Sequence, residues 1–260
     1  MDYARKTALV TGASSGIGLA YARELAARGA NLVLVARRAT VLDDVAQALR
    51  NDFPVTVTTI AMDLGVPTAG QQLKDNLDGQ GILPEILVNN AGFGTNSRLE
   101  NEDPHRIQEE ITLNVATLVE LTRAYLPGMI AQDFGAIVNI ASTAAYQPVP
   151  GMAVYAATKA FVLSFTSAVW GETKDTGVRV LAVSPGATAT DFFTIAGAQP
   201  SGALAPVSAV ISTTFRALDA KKSRPSVVVG RKNSIMSSLT SFFPKKAVIQ
   251  IAGSMFLPKK

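Results

Sequence analysis

Tyr155 and Lys159 stand four residues apart in Gly151-Met152-Ala153-Val154-Tyr155-Ala156-Ala157-Thr158-Lys159, a spacing that puts both side chains on one face of a helix. A phenol with a reference pKa of about 10 is a poor acid or base near neutrality, but an ammonium beside it favours the phenolate. Lowering the pKa by about 3 units corresponds to about 4 kcal/mol and brings the tyrosine into working range for proton transfer. Ser142 follows the apolar run Ile137-Val138-Asn139-Ile140-Ala141, and its hydroxyl can hold a carbonyl oxygen beside that phenol. Taken singly these residues are ordinary. A half-buried tyrosine with a snorkelling lysine accounts for the first pair, and a cap or turn accounts for Ser142.

The elements that would bring them together show as an alternation. Short apolar, β-branched runs at 7–10, 31–35, 55–60, 86–88, 136–140, 178–183 and 227–229 read as strands buried on both faces of a parallel sheet. Stretches 17–28, 40–50 and 153–174 between them are long enough for crossover helices. The order predicts an α/β fold in a single domain: a Rossmann-like, doubly wound parallel sheet of about seven strands in three α/β/α layers, in preference to a (β/α)8 barrel. Ser142 then falls at the carboxyl edge of the sheet, where such folds bind ligands.

Directly after the first strand, Thr11-Gly12-Ala13-Ser14-Ser15-Gly16-Ile17-Gly18 opens a helix. Glycines there let the backbone turn sharply and approach a pyrophosphate, whose charge is favoured by the free N–H groups and dipole of the helix N-terminus. Gly12, Ser14, Ser15, Gly16, Ile17 and Gly18 are the expected contacts of a dinucleotide. An NAD site places an acid about 20 residues further on, whereas this chain has Ala36-Arg37-Arg38. A guanidinium pairs with a 2′-phosphate, so NADP(H) is the expected cofactor, with Arg37 and Arg38 at the phosphate. Gly12-Ala13-Ser14-Ser15-Gly16 also satisfies the G-x-S-x-G elbow of α/β-hydrolases, with Ser14 as nucleophile. Such an enzyme needs a late histidine and an elbow after several strands. The one histidine, His105, lies early, in an acidic segment.

In this company the chain resembles the short-chain dehydrogenase/reductase family, matching its motifs in order from residue 7 to about 190. The resemblance rests on the glycine motif, on Asp63-Leu64 after the third strand, and on Asn89-Asn90-Ala91-Gly92 after the fourth. It continues through Asn114, Ser142, Tyr155 with Lys159, and Pro185-Gly186-Ala187-Thr188-Ala189-Thr190. The family implies that Asp63 and Leu64 border the adenine and that Asn90, Ala91 and Gly92 border the cofactor. Pro185, Gly186, Thr188 and Thr190 would meet the nicotinamide. The implied catalytic tetrad is Asn114, Ser142, Tyr155 and Lys159, with hydride transfer between the nicotinamide and a carbonyl carbon while Tyr155 moves the proton. Lys159 would hold the nicotinamide ribose, and Asn114 would position a relaying water. A homodimer or homotetramer through the helices bearing Asn114 and Tyr155 is also implied. A cofactor-binding regulatory or scaffold protein without turnover is the alternative, disfavoured by the intact tetrad.

Composition narrows the rest. The chain has 260 residues, 48% of them hydrophobic and 17% charged, enough to bury a large core. With no cysteine and one histidine, disulfides, thiolate nucleophiles and multi-histidine metal sites are excluded, and no metal is expected. The N-terminus leads straight into a strand and no apolar run approaches the roughly 20 residues that span a bilayer, so a cytoplasmic location is expected. A net charge of +4 falls short of a nucleic-acid binder's, but it conceals an asymmetry. Residues 1–191 carry 14 basic and 19 acidic side chains, whereas 192–260 carry 10 basic and one acid, Asp219, for sums of −5 and +9. Residues 1–190 are thus read as the dinucleotide-binding and catalytic core and 191–260 as a substrate-loop and C-terminal appendage of the same domain. There Phe192, Phe193 and Ile195 suit either an apolar small-molecule carbonyl or alcohol substrate or a helix core. The apolar and lysine-rich end, 235–256, suits a subunit interface or peripheral contact with an anionic membrane.

Overall fold

Strands covered on both faces are apolar or carry polar groups that are paired, and Ile86–Asn89 (β4) and Gly135–Ile140 (β5) are buried at every position, with Asn89 donating to Asn139 between them. With Thr7–Thr11 (β1), Asn31–Ala36 (β2), Val57–Ala61 (β3), Val178–Ser184 (β6) and Ser226–Val228 (β7) they form one parallel sheet in the order β3-β2-β1-β4-β5-β6-β7. This computed structural model describes residues 1–199 and 203–257, with Ser241 described by its backbone only. The expected Rossmann-like, three-layer sheet is what the chain forms, and the order reverses between β1 and β4, so a crevice opens there at the carboxyl ends of the strands.

One face of the sheet is covered by Gly16–Ala27 (α1), Ala39–Asp52 (α2) and, from the C-terminal part, Val207–Leu218 (α8), through Tyr21, Leu25, Leu42, Leu49 and Phe215. Ala69–Gly79 (α3), Thr117–Ala131 (α5) and Ala153–Glu172 (α6) cover the other through Leu73, Leu77, Leu121, Tyr125 and Val169. Val210, Ile211, Phe215 and Leu218 are thereby core residues, and the Tyr21 hydroxyl bonds Thr214 at 2.5 Å to fix α8 on α1. After Thr190 the chain is more regular than its pattern predicts: Phe192–Ala196 (α7), Arg231–Leu239 (α9) and Lys245–Phe256 (α10) accompany α8 and β7. Pro206 and Pro244, at helix N-caps, start α8 and α10 where a missing N–H costs nothing. Lys259 and Lys260 lie outside the described residues.

Contrary to the expectation from run lengths, α6 is long and apolar enough to cross a membrane by length and composition. It instead packs into the domain, with Tyr155, Thr158, Lys159, Val162 and Thr166 buried. Pro104–Ile111 (α4) is capped by the Asp103 carboxylate, which accepts from the His105 N–H. It joins α5 through a π-turn at Thr112–Ala116, a geometry that is rare and often found at functional sites.

Candidate active site

A cavity of about 840 Å³ occupies the crevice, and every residue expected at the cofactor borders it or supports its wall. Gly12 and Gly16 have φ of +65° and +54°, which only glycine adopts without strain, and a Cβ on Gly12 would meet the Asn90 amide at 2.8 Å. Gly18 is buried instead, and a Cβ there would strike the Gly12 carbonyl. Thr11 ties this turn to the neighbouring strand: its hydroxyl accepts the N–H groups of Asn90 and Ala91 at 3.0 and 2.9 Å, and the Asn90 amide returns bonds to the carbonyls of Thr11 and Gly12. Ser14, Ser15, Gly16 and Ile17 line the cavity at the N-terminus of α1, where Ser15 makes no side-chain capping bond. Arg37 and Arg38 are exposed on its rim, and neither forms an ion pair among the described residues. Asp63 and Leu64 line it too, with Asp63 accepting from the Gly65 N–H at 2.8 Å as a turn residue. A glycine turn with positive φ, free helix N–H groups and unpaired guanidinia fit a dinucleotide phosphate group.

At the opposite end, α6 presents Tyr155 and Lys159, both buried. The Lys159 ammonium donates to the Ile140 carbonyl at 2.8 Å and lies 5.8 Å from the centre of the Tyr155 ring. Ser142, two residues beyond β5, caps a short turn by accepting the Ala144 N–H at 3.1 Å. Burial pushes the Tyr155 phenol up to about 12, a Ser142 hydrogen bond pulls it down, and the charge of Glu110 raises it. Burial also lowers Lys159 to about 8, against the opposing pull of Glu110. Burial outweighs the neighbouring groups at Tyr155, so the phenol is held in its protonated form near neutrality. Gly94 makes room for it, since a Cβ there would meet the Tyr155 ring at 2.7 Å.

Asn114 sits in the π-turn rather than in a regular helix, 1% exposed. Its amide donates to the Phe93 carbonyl at 2.8 Å and to Thr158 at 3.1 Å, while its oxygen accepts the Phe93 N–H. The side chain is thus committed to holding the loop 90–96 against α6, beside Gly92 and the Lys159 ammonium. Pro185, Gly186, Thr188 and Thr190 border the cavity, and Asn233 from α9 rests on Gly186. Phe192 packs 5.1 Å from the Tyr155 ring with Phe193 edge-on behind it, and Ile195 stands half exposed at the mouth. Met236, Ile251, Met255 and Phe256 complete an apolar wall from α9 and α10. His105 is exposed and outside the cavity, so Ser14 has no histidine partner and the hydrolase alternative falls.

Thr95 and Glu110 escaped the sequence reading, and Thr11 stood in the glycine motif without the hydrogen-bonding role it has here. Glu110 left a signal, because it holds an apolar phase of α4, three residues after Ile107 and four before Asn114.

The sequence profile of the family described as short chain dehydrogenase matches residues 6–200, and the chain belongs to that family. Its chemistry is accordingly carbonyl–alcohol oxidoreduction with a nicotinamide cofactor. Among its relatives, the very-long-chain 3-oxoacyl-CoA reductase of Mus musculus is 33% identical over 242 residues, covering 92% of this chain and 75% of that protein. The chain spans 75% of the mouse reductase but 59% of the bovine one, and between 58% and 77% of the length of several such relatives. A short-chain dehydrogenase from Sphingobium yanoikuyae, solved in complex with NADPH, has a TM-score of 0.81 at 32% identity, covering 92% of this chain and 97% of that one. A relative from Burkholderia phymatum solved with NAD, at 23% identity and a TM-score of 0.82 over 93% and 95% of the two chains, shares the fold.

Proposed function

We propose that the protein is an NADP(H)-dependent reductase of apolar carbonyl compounds, with long-chain 3-oxoacyl thioesters as the substrate class. The observation that carries this reading is the buried Tyr155 phenol facing an apolar cavity walled by Phe192, Phe193, Met236, Ile251, Met255 and Phe256. The activity of the mouse relative and the NADPH held by the Sphingobium structure point the same way.

Bound in the crevice, the cofactor supplies the hydride for reduction or accepts it in oxidation. Arg37, with Arg38 beside it, would pair with the 2′-phosphate, and the helix N-terminus at Ser14 to Ile17 would hold the pyrophosphate. Ser142 orients the substrate oxygen. Tyr155 gives that oxygen its proton, a transfer for which a neutral phenol is the required starting state. Lys159, held by the Ile140 carbonyl, presents its charge beside the tyrosine, and Asn114 fixes the loop on which both depend. The acyl chain lies along the α7, α9 and α10 wall. Arg231, Lys232, Lys245 and Lys246 on α9 and α10 meet the anionic carrier group, with no acid in 220–257 to oppose them.

Away from that wall, Ile235 on α9 and Phe242 and Phe243 between α9 and α10 are exposed, an apolar and basic face suited to peripheral contact with anionic lipid from the cytoplasm. Pairing of two copies is assigned to α5 and α6, where Ile130 and Phe161 are partly exposed and Phe161 stacks on Phe165 at 5.8 Å.

The test is a chain-length series of 3-oxoacyl-CoA esters assayed with NADPH and NADH. The expected result is kcat/KM rising with chain length and higher with NADPH. Faster turnover of short, uncharged ketones than of any thioester would overturn the substrate assignment.

A further inference from the structure

Glu110 is fully buried, 0% exposed, on the face of α4 that packs against α6. One carboxylate oxygen accepts from the Thr95 hydroxyl at 3.0 Å and the other has no partner among the described residues. Leaving a buried polar oxygen unpaired is costly, and such a cost is retained where the group has a task. The surroundings give it one. Thr95 follows Gly94, on whose bare α-carbon the Tyr155 ring lies, and Asn114 begins one turn after Glu110. The charges that face it are Glu102 before the helix, Arg106 one turn back, and, from α6, Lys159. Tyr155, also on α6, feels its charge in turn.

We propose that Glu110 is a positioning residue for proton transfer: its carboxyl anchors Thr95 behind the Tyr155 ring, and its charge keeps the Tyr155 phenol and the Lys159 ammonium protonated, favouring carbonyl reduction over alcohol oxidation. The inference rests on the reductase reading for its consequence, though the coupling itself does not. A negative charge stabilises the nearby ammonium and destabilises a nearby phenolate. Burial pushes Glu110 up to about 7, so that charge develops as pH rises through neutrality.

The coupling is measured without substrate by carbon-13 NMR of cofactor-free protein labelled at the glutamate carboxyl. One resonance, absent from Glu110→Gln, should titrate near neutrality, and Lys159→Met should move it upward by about one pH unit as the neighbouring cation is lost. A Glu110 resonance that ignores Lys159→Met would overturn the proposal. The consequence is read with a long-chain 3-oxoacyl-CoA and its 3-hydroxy counterpart. In Glu110→Gln the alkaline rise of alcohol oxidation should move down by about one pH unit. Thr95→Val should lower the rate at every pH without moving the profile. A Glu110→Gln profile that stays in place while its rate falls would reduce Glu110 to packing. Absence of turnover in the unaltered protein would refute the reductase reading and leave the NMR result to decide the coupling.

Discussion

Tyr155 is the residue on which the proposed chemistry turns. Tyr155→Phe removes one oxygen from a buried ring whose packing against Phe192 and Gly94 is unchanged, so NADPH should still bind in calorimetry while kcat falls by about 10²–10⁴. Arg37 is the corresponding residue for cofactor choice. Charge-assisted bonds are worth about 1.5–3 kcal/mol, so Arg37→Ala should weaken NADPH at least about tenfold and leave NADH nearly unaffected. Equal losses for the two would remove Arg37 from the phosphate site. Both residues were legible in the sequence because a motif fixes their place relative to a strand end. Glu110 and Thr95 were not, since their pairing depends on how α4 docks on α6 and on a loop fifteen positions upstream.

At the scale of elements, the crevice depends on the junction between β1 and the segment after β4. Thr11→Val keeps the shape but removes the acceptor of the Ala91 N–H and one of the two acceptors of the Asn90 N–H, which also reaches the Val88 carbonyl, and a buried N–H without a partner costs about 1–3 kcal/mol. Thermal unfolding should show a clear loss of stability, accompanied by weaker cofactor binding. Gly94→Ala tests the other end: its methyl would push the Tyr155 ring, lowering kcat while the fold persists. The strands and crossover helices were readable because runs apolar on both faces report burial directly, whereas the order of the strands in the sheet came only from the structure. The π-turn at Asn114 was not, as Ile111-Thr112-Leu113-Asn114-Val115 has an ordinary helical composition. The widened turn is closed by the backbone bond from the Thr117 N–H to the Thr112 carbonyl, which composition does not signal. Nor did composition distinguish the buried face of α8 from the open faces of α9 and α10, because all three carry similar apolar residues and differ only in what lies opposite.

The whole molecule divides by charge, an acidic catalytic body with a basic C-terminal end. If α9 and α10 meet an anionic carrier group, KM for a 3-oxoacyl-CoA should rise with salt as the charges are screened over about 10 Å at 0.1 M, and Lys245→Ala with Lys246→Ala should flatten that dependence. Unchanged KM together with salt-sensitive liposome binding would assign the basic face to lipid instead. Stability carries its own pH signature. Glu110 binds its proton more tightly folded than unfolded, so its contribution is full below about 4.5 and is lost as pH rises toward about 7. Lys159 is depressed, so stability is lost as pH falls from 10.5 through about 8. Unfolding temperature should therefore decline between pH 4.5 and 7, with a shallower decline in Glu110→Gln. The central claim, NADPH-dependent carbonyl reduction with Tyr155 as the proton donor, is tested most directly by single-turnover NADPH oxidation with a long-chain 3-oxoacyl-CoA in the unaltered protein and in Tyr155→Phe. Rapid oxidation is expected in the first and near-complete loss in the second with the cofactor still bound. Equal rates in the two, or bound NADPH that neither protein consumes, would contradict it.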